Sequence, residues 1–172
     1  MKKTDPSPLV SIVMGSDSDL PIMNETARML QRLEVSYEVE ISSAHRSPER
    51  TAKYARGAAG RGIKVIVAGA GGAFHLAGVI AAETTLPVIA VPIPNSSLGG
   101  MDALLAAVQM PGGVPVGVMA LGKAGAVNAA IFSAQILATS DVTVARRLAR
   151  HKEEMAHAVE EKGERLKKEP SL

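Results

Sequence analysis

His45 stands in a polar turn directly before a predicted helix, where it could transfer a proton. It lies in residues 42–47 (SSAHRS), and its neighbour is Arg46. A nearby guanidinium favours the neutral imidazole, which can accept a proton and later return it. We therefore interpret His45 as a candidate general acid/base and Arg46 as a cation for a phosphate or carboxylate. The alternative is a surface histidine without a role.

A second polar turn, residues 15–19 (GSDSD), has the composition of an anion-binding loop. Its backbone amides and the hydroxyls of Ser16 and Ser18 would lie at a helix N-terminus, which favours a phosphate dianion. Two other interpretations remain open: Ser18 or Asp19 only caps the helix, or Asp19 contacts a sugar hydroxyl. Asp17 and Asp19 alone do not complete a metal site, because no further ligand accompanies them.

A third turn, residues 69–75 (GAGGAFH), would let the backbone approach a ligand closely. Glycines make that approach possible and leave backbone amides accessible. A single turn of this kind is a weak signal, because glycines also serve purely steric needs. His75 at its end either orients the turn or takes part in a reaction.

All three turns follow predicted strands, and predicted helices separate those strands. Short apolar runs indicate strands at residues 9–14, 35–41, 63–68, 87–91 and 114–120. Helices are predicted from residue 18 or 19, from residue 48, and over residues 74–83, 101–108 and 124–138. This alternation predicts a three-layer α/β domain with a parallel sheet. Since ligands bind at the carboxyl ends of such strands, the three turns should meet in one pocket.

Residues 142–168 are strongly charged with scattered apolar positions, which predicts a long amphipathic helix leaving the domain. Packing on a neighbouring subunit and a solvated appendage are both compatible with this pattern. His151 and His157 are interpreted as part of its solvated face. The chain thus divides into a polar segment (1–8), one α/β catalytic domain (9–140) and a helical tail (141–172).

Composition excludes several classes of protein. The 172 residues are about the length of one domain. Two tyrosines, two phenylalanines and no tryptophan argue against stacking of bases or flavin rings, and a net charge of +2 argues against nucleic-acid binding. The absence of cysteine excludes disulfides, thiolate metal sites and cysteine nucleophiles.

The middle of the chain carries very little charge. Between residues 65 and 138 the formally charged residues are Glu83, Asp102 and Lys123. Glycine and proline interrupt each apolar run before the ~20 residues that a membrane span needs, so no membrane partner is expected. We predict instead a buried sheet and surfaces covered by other copies of the chain. The N-terminus lacks the apolar region of a signal peptide, which predicts a cytoplasmic protein.

Four segments together resemble the catalytic-subunit family of phosphoribosylaminoimidazole carboxylase. They are residues 14–19 (MGSDSD), 43–48 (SAHRSP), 68–76 (AGAGGAFHL) and 108–116 (VQMPGGVPV). Four motifs in this order and spacing are more specific than any one of them. The resemblance extends from residue 9 to about residue 139.

The resemblance implies a flavodoxin-like fold, a homo-octamer with sites between subunits, and a C-terminal helix on a neighbour. It also implies a cofactor-independent mutase of purine biosynthesis, which moves a carboxyl group from N5 to C4 of an aminoimidazole ribonucleotide. A separate carbamate-forming synthetase would be its functional partner. His45 would be the general acid/base. The implied substrate-binding residues are Ser16, Ser18, Asp19, Ser43, Arg46, Gly71, Gly72, Ala73, His75 and Leu76.

The sequence departs from the family pattern at four positions. Ser47, Phe74, Ala77 and Val79 stand where Thr, Ala, Pro and Met are usual. Phe74 is expected to narrow or reshape the pocket. Two other functions remain open: direct carboxylation of aminoimidazole ribonucleotide with CO2, and a non-catalytic nucleotide-binding module. The module would need aromatic platforms near the phosphate loop, where only Phe74 is available.

Overall fold

The computed structural model describes residues 7–168, so most of the predicted polar segment 1–8 and the end of the tail lie outside the described residues. Five strands alternate with helices in this range. The strands are β1 (Val10–Met14), β2 (Tyr37–Ile41), β3 (Val65–Ala70), β4 (Val88–Pro92) and β5 (Gly117–Val118). The helices are α1 (Leu20–Arg32), α2 (Pro48–Gly57), α3 (His75–Glu83), α4 (Met101–Val108), α5 (Gly122–Ala138) and α6 (Val142–Lys168).

The five strands form one parallel sheet in the order β2-β1-β3-β4-β5. The order reverses at β1, because the chain first moves from β1 to the edge at β2 and then returns to the other side of β1 at β3. The loops after these strands diverge there and leave a crevice at the carboxyl edge of the sheet. This topology confirms the predicted flavodoxin-like, three-layer fold.

Two apolar cores cover the two faces of the sheet. β1 and β3 are buried along their whole length, as central parallel strands must be. The first core includes residues of α1 and α5, and the second includes residues of α2, α3 and α4. Small residues let α1 and α5 approach closely: Ala126, Ala129 and Ala130 are fully buried, and the Thr26 hydroxyl donates to the Ala126 carbonyl at 2.9 Å.

β5 is shorter than predicted. A strand was expected over residues 114–120, but only Gly117–Val118 pairs with β4. Pro115 has no amide hydrogen to donate, and the Val114 amide donates to the Pro111 carbonyl in a turn. These backbone groups are therefore not available to extend the edge strand.

α6 has the predicted bounds, but its first half does not leave the domain. It packs on α5, and the Arg147 guanidinium donates to the carbonyl and carboxylate of Glu34 at 2.9 and 2.7 Å. His151 lies two turns after the buried Val144 and is only 5% exposed, so its interpretation as solvated is wrong. His157 is exposed, as predicted. No helix within residues 7–168 is both long and apolar enough to cross a membrane.

Candidate active site

The loop after β1 is held over the crevice before α1 begins. The Gly15 amide donates to the Gly69 carbonyl of β3 at 3.3 Å. Ser16 Oγ accepts from the Ser18 amide at 3.3 Å and caps a short 3-10 turn over Asp17–Asp19. The expectation that Ser18 or Asp19 caps the helix is therefore wrong. The Ser18 amide, expected to face a phosphate, is already used within the loop.

Asp19 is buried under this loop, with 3% of its surface exposed. It stands at the residue before α1, but its carboxylate does not cap that helix. Oδ1 instead accepts from Asn95 Nδ2 at 3.0 Å. Burial raises the pKa of Asp19 above its ordinary value, and hydrogen bonds, including the one from Asn95, partly oppose this shift.

The loop after β2 is organised around Ser43. Its Oγ accepts from the amide and Nε of Arg46, at 3.2 and 3.4 Å, and its carbonyl accepts from the Ser47 hydroxyl at 3.0 Å. Arg46 Nη2 donates to the Gly15 carbonyl at 3.0 Å. The guanidinium therefore links the first two loops and is exposed where an anionic ligand can reach it.

His45 and His75 contact each other directly. Nε2 of His45 lies 2.6 Å from Nδ1 of His75, and the two rings meet edge to face with centroids 4.8 Å apart. One nitrogen must carry the hydrogen and the other must accept it. His75 begins α3, and Phe74 before it has a left-handed backbone conformation (φ 51°).

The glycines of the third turn make room for side chains from other elements. A Cβ at Gly69 would lie 2.2 Å from the Met23 sulfur, and a Cβ at Gly71 would lie 1.6 Å from Asn95 Oδ1. Phe74 is buried in the second core and also lines the crevice. Gly69 and Gly71 therefore serve a steric need at these contacts, and the close approach of the turn to a ligand stays a prediction.

The loops surround an open cavity of about 480 Å³ at the carboxyl edge of the sheet. The predicted site residues that line it are Ser16, Asp19, Ser43, His45, Arg46, Gly71, Gly72, His75 and Leu76. Ser18 and Ala73 are exposed and lie outside this lining. Within residues 7–168 no three His, Asp or Glu side chains are grouped to hold a metal ion.

Asn95 and Ser96 also line the cavity and were not predicted. The three polar turns recognised in the sequence follow the first three strands only. β4 pairs in parallel with β3, so the loop after β4 ends at the same edge of the sheet. The polar run at residues 95–97 (NSS), which begins three residues after the end of β4, is the signal that identifies these residues.

Comparison with known proteins assigns the chain to a family. A model of AIR carboxylase matches residues 9–158. The chain belongs to the AIR carboxylase family. It is 52% identical over 159 residues to the N5-carboxyaminoimidazole ribonucleotide mutase of Pyrococcus horikoshii, covering 92% of this chain and 89% of that protein. The mutase of Bacillus subtilis is also 52% identical over 159 residues, covering 92% and 98%.

A solved structure of the same fold agrees with this assignment to the AIR carboxylase family. Treponema denticola PurE superimposes with a TM-score of 0.83 at 28% identity, covering 93% of this chain and 99% of that chain. Three of the four motif segments that carry the family resemblance surround the cavity. The fourth, residues 108–116, connects α4 to β5.

Proposed function

We propose that this chain catalyses the mutase reaction of purine biosynthesis, converting N5-carboxyaminoimidazole ribonucleotide into 4-carboxy-5-aminoimidazole ribonucleotide. The observation that carries the proposal is the match to relatives named for this reaction, at 52% identity over 92% of the chain. The cavity supports it, because a histidine pair, a guanidinium and a buried carboxylate meet there.

Binding of the ribonucleotide is assigned to the polar loops. Arg46, beside the hydroxyls of Ser16 and Ser43, suits the charge of a phosphate dianion. Asp19 is the acceptor for ribose hydroxyls. The remaining predicted contacts to the substrate are Ser18, Gly71, Gly72, Ala73, His75 and Leu76.

His45 is proposed as the general acid/base. In its protonated form it donates a proton to the exocyclic nitrogen that carries the carboxylate, and the C–N bond breaks to release CO2. The ring carbon C4 then forms a bond with CO2, and the neutral imidazole removes the C4 proton. His45 donates one proton and removes one, so its protonation state is the same before and after the reaction. The proposed scheme uses no metal or organic cofactor.

Retention of CO2 beside the ring is a proximity effect. A reactant held next to its partner reacts faster than one that must be recaptured from solution. Part of the cavity lining is apolar and mostly small, which favours CO2 over water. Its residues are Ala44, Ala70, Gly71, Gly72, Phe74 and Leu76.

The test is product formation, followed by ultraviolet absorbance, from the carbamate ribonucleotide without added bicarbonate. We expect turnover by the parent protein and a kcat about 10²–10⁴-fold lower in His45→Asn. A parallel assay supplies aminoimidazole ribonucleotide and bicarbonate. Turnover only in the parallel assay would replace the proposal by direct carboxylation, and turnover in neither would refute both.

We also propose that the protein is a homo-oligomer, with the octamer of the family as the expected state and the exposed later turns of α6 packed on a neighbouring subunit. The support is a stripe of exposed apolar residues at α4, called here the α4 stripe. It consists of Leu98, Met101, Leu105 and Val108. Exposed apolar patches of this kind mark interaction surfaces.

The proposed substrate also leads to proposals about the cellular compartment of this protein and about a partner enzyme. A carbamate of this type decomposes readily, so a synthetase that forms it would act close to this enzyme. Both are proposed to work in the cytoplasm. Coupled assays with such a synthetase would test the link by comparing the fraction of carbamate converted with the fraction lost to solution.

A further inference from the structure

Asn95 joins the loop after β4 to the buried carboxylate of the site. Its Nδ2 donates to Oδ1 of Asp19 at 3.0 Å, although 76 positions separate the two residues in sequence. An ionised carboxylate can only accept hydrogen bonds, so the nitrogen of the Asn95 amide must face Asp19. Asn95 therefore sets the direction of a carboxylate that lines the cavity.

The oxygen of the same amide packs against the third turn. A Cβ added at Gly71 would lie 1.6 Å from Oδ1 and 2.5 Å from Cγ of Asn95. The amide thus occupies the volume that any side chain at position 71 would fill. Because it contacts Asp19 at one end and Gly71 at the other, the Asn95 side chain has little freedom to turn.

The loop that carries Asn95 is anchored on both sides. Its own amide donates to the Ile93 carbonyl at 2.9 Å. On the other side, Ser96 Oγ donates to Asp102 Oδ1 at 2.7 Å and accepts from the Gly100 amide at 3.4 Å. This loop can therefore act as a fixed support for the Asp19 carboxylate.

Asp19 needs such a donor because it is buried. Burial raises its pKa, and the hydrogen bond from Asn95 acts in the opposite direction. Loss of the donor would leave more of the carboxyl protonated. A protonated carboxyl has less acceptor capacity for a hydroxyl group of a ligand.

We propose that Asn95 is a positioning residue of the ribonucleotide site, which orients the Asp19 carboxylate and keeps it an acceptor for the hydroxyl groups of the ligand. This inference rests on the proposed function for the identity of that ligand. It assigns a role in the site to the loop after β4, which carries none of the four family motifs.

Two variants distinguish a positioning role of Asn95 from a role in packing alone. Asn95→Asp keeps the shape of the side chain, and so its contact with Gly71, but replaces the donor with a carboxylate that repels Asp19. Asn95→Ala removes the donor and the packed volume together. Thermal unfolding of both variants shows first that they are folded.

In the mutase assay we expect KM to rise by about tenfold or more in Asn95→Asp and by less in Asn95→Ala, with kcat changed by less than about threefold. The acidic limb of the kcat/KM profile should move to higher pH in both variants. A packing role alone predicts the opposite order, with Asn95→Ala more damaging and the pH profile unchanged. That result would overturn the proposal.

A carboxyl 13C NMR titration of Asp19 tests the same idea without substrate. We expect a higher pKa of Asp19 in both variants than in the parent, and equal values in all three proteins would overturn the proposal. Because this measurement needs no turnover, it decides the role of Asn95 independently. If the parent protein is inactive but the pKa of Asp19 is higher in the variants, only the proposed function is refuted, and the role of Asn95 stands.

Discussion

At the scale of residues, the candidate site is built from pairs of residues that meet across loops. His45 and His75 are 30 positions apart, yet their ring nitrogens are 2.6 Å from each other. Arg46 reaches the Gly15 carbonyl in the same way. Each imidazole or guanidinium is therefore oriented by a group from another loop, which reduces the cost of ordering it when a ligand binds.

The first prediction concerns proton transfer. His45→Asn should lower kcat by about 10²–10⁴-fold, because the amide cannot take up or release the proton. Affinity for the product ribonucleotide, measured by isothermal titration calorimetry, should change little, since the phosphate and ribose contacts remain. Turnover close to that of the parent would remove His45 from the proposed mechanism.

The second prediction concerns Asp19 and pH. Its pKa in the folded protein is raised by burial above the ordinary value of 3.8, so the native state binds more protons than the unfolded state in the interval between the two values. Stability contributed by this group therefore falls as pH rises through that interval. Asp19→Asn should stabilise the fold at pH 7 and weaken ligand binding.

The measurement is chemical denaturation of the parent and Asp19→Asn at a series of pH values. The pH-dependent part of the difference in unfolding free energy should disappear well below pH 3.8, where the carboxyl is protonated in both states. A difference that stays constant with pH would show that the substitution acts through packing and not through the charge of Asp19.

Most of the residues that line the cavity were predictable from the sequence, whereas their partners were not. Ser16, Asp19, His45 and Arg46 stand in turns whose composition indicates anion binding and acid/base chemistry. Nothing in those turns indicates Asn95, because its hydrogen bond to Asp19 depends on how β4 lies beside β3. Prediction failed where a contact joins distant parts of the chain.

At the scale of elements, α6 combines two environments within one helix. Its first turns pack on α5 and its later turns are exposed. His151 lies in the packed part, and neither of its ring nitrogens has a hydrogen-bond partner among residues 7–168. Burial of polar atoms without partners costs free energy, so this position weakens the attachment of the helix.

The third prediction follows from this cost. His151→Leu should raise the free energy of unfolding by about 1 kcal/mol, because an apolar side chain loses no hydrogen bonds to water on burial. Urea denaturation measures the change. His157→Leu is the matched control, since His157 is on the same helix with 71% of its side chain exposed. A loss of stability in His151→Leu would show that the imidazole has a partner in the assembled protein.

At the scale of the whole molecule, the α4 stripe is an exposed apolar surface that would be in contact with water in a monomer. Leu105 is 56% exposed and Leu98 is 66% exposed, although α4 packs its other face against the sheet. The charge-poor middle of the sequence led to the same expectation of covered surfaces. The proposed assembly with further copies of the chain would account for both features.

The fourth prediction tests this assembly. Leu105→Glu should lower the molar mass found by size-exclusion chromatography with light scattering, because a buried charge at a subunit contact is costly. Circular dichroism should remain that of the parent, since the position is exposed in the single chain. Lys53→Glu, on the exposed side of α2, is the control and should not alter the mass. An unchanged mass in Leu105→Glu would exclude the α4 stripe from the interface.

The sequence by itself determined the alternation of strands and helices, the family and the turns in which the site lies. Each of these properties is encoded locally, in apolar periodicity and in short motifs such as residues 43–48. The bounds of α4 and α6, for example, are those that the local pattern predicts. Local patterns specify them because backbone conformation and side-chain burial follow from neighbouring residues.

Only the tertiary structure decided which side chains touch. The His45–His75 contact, the support of Asp19 by Asn95 and the burial of His151 all depend on strand order and on the close approach of loops. The space for Asn95 exists because residue 71 is a glycine, a fit between two loops that no single segment reveals. Such contacts join residues far apart in the chain, and their distances are set by packing of the whole domain.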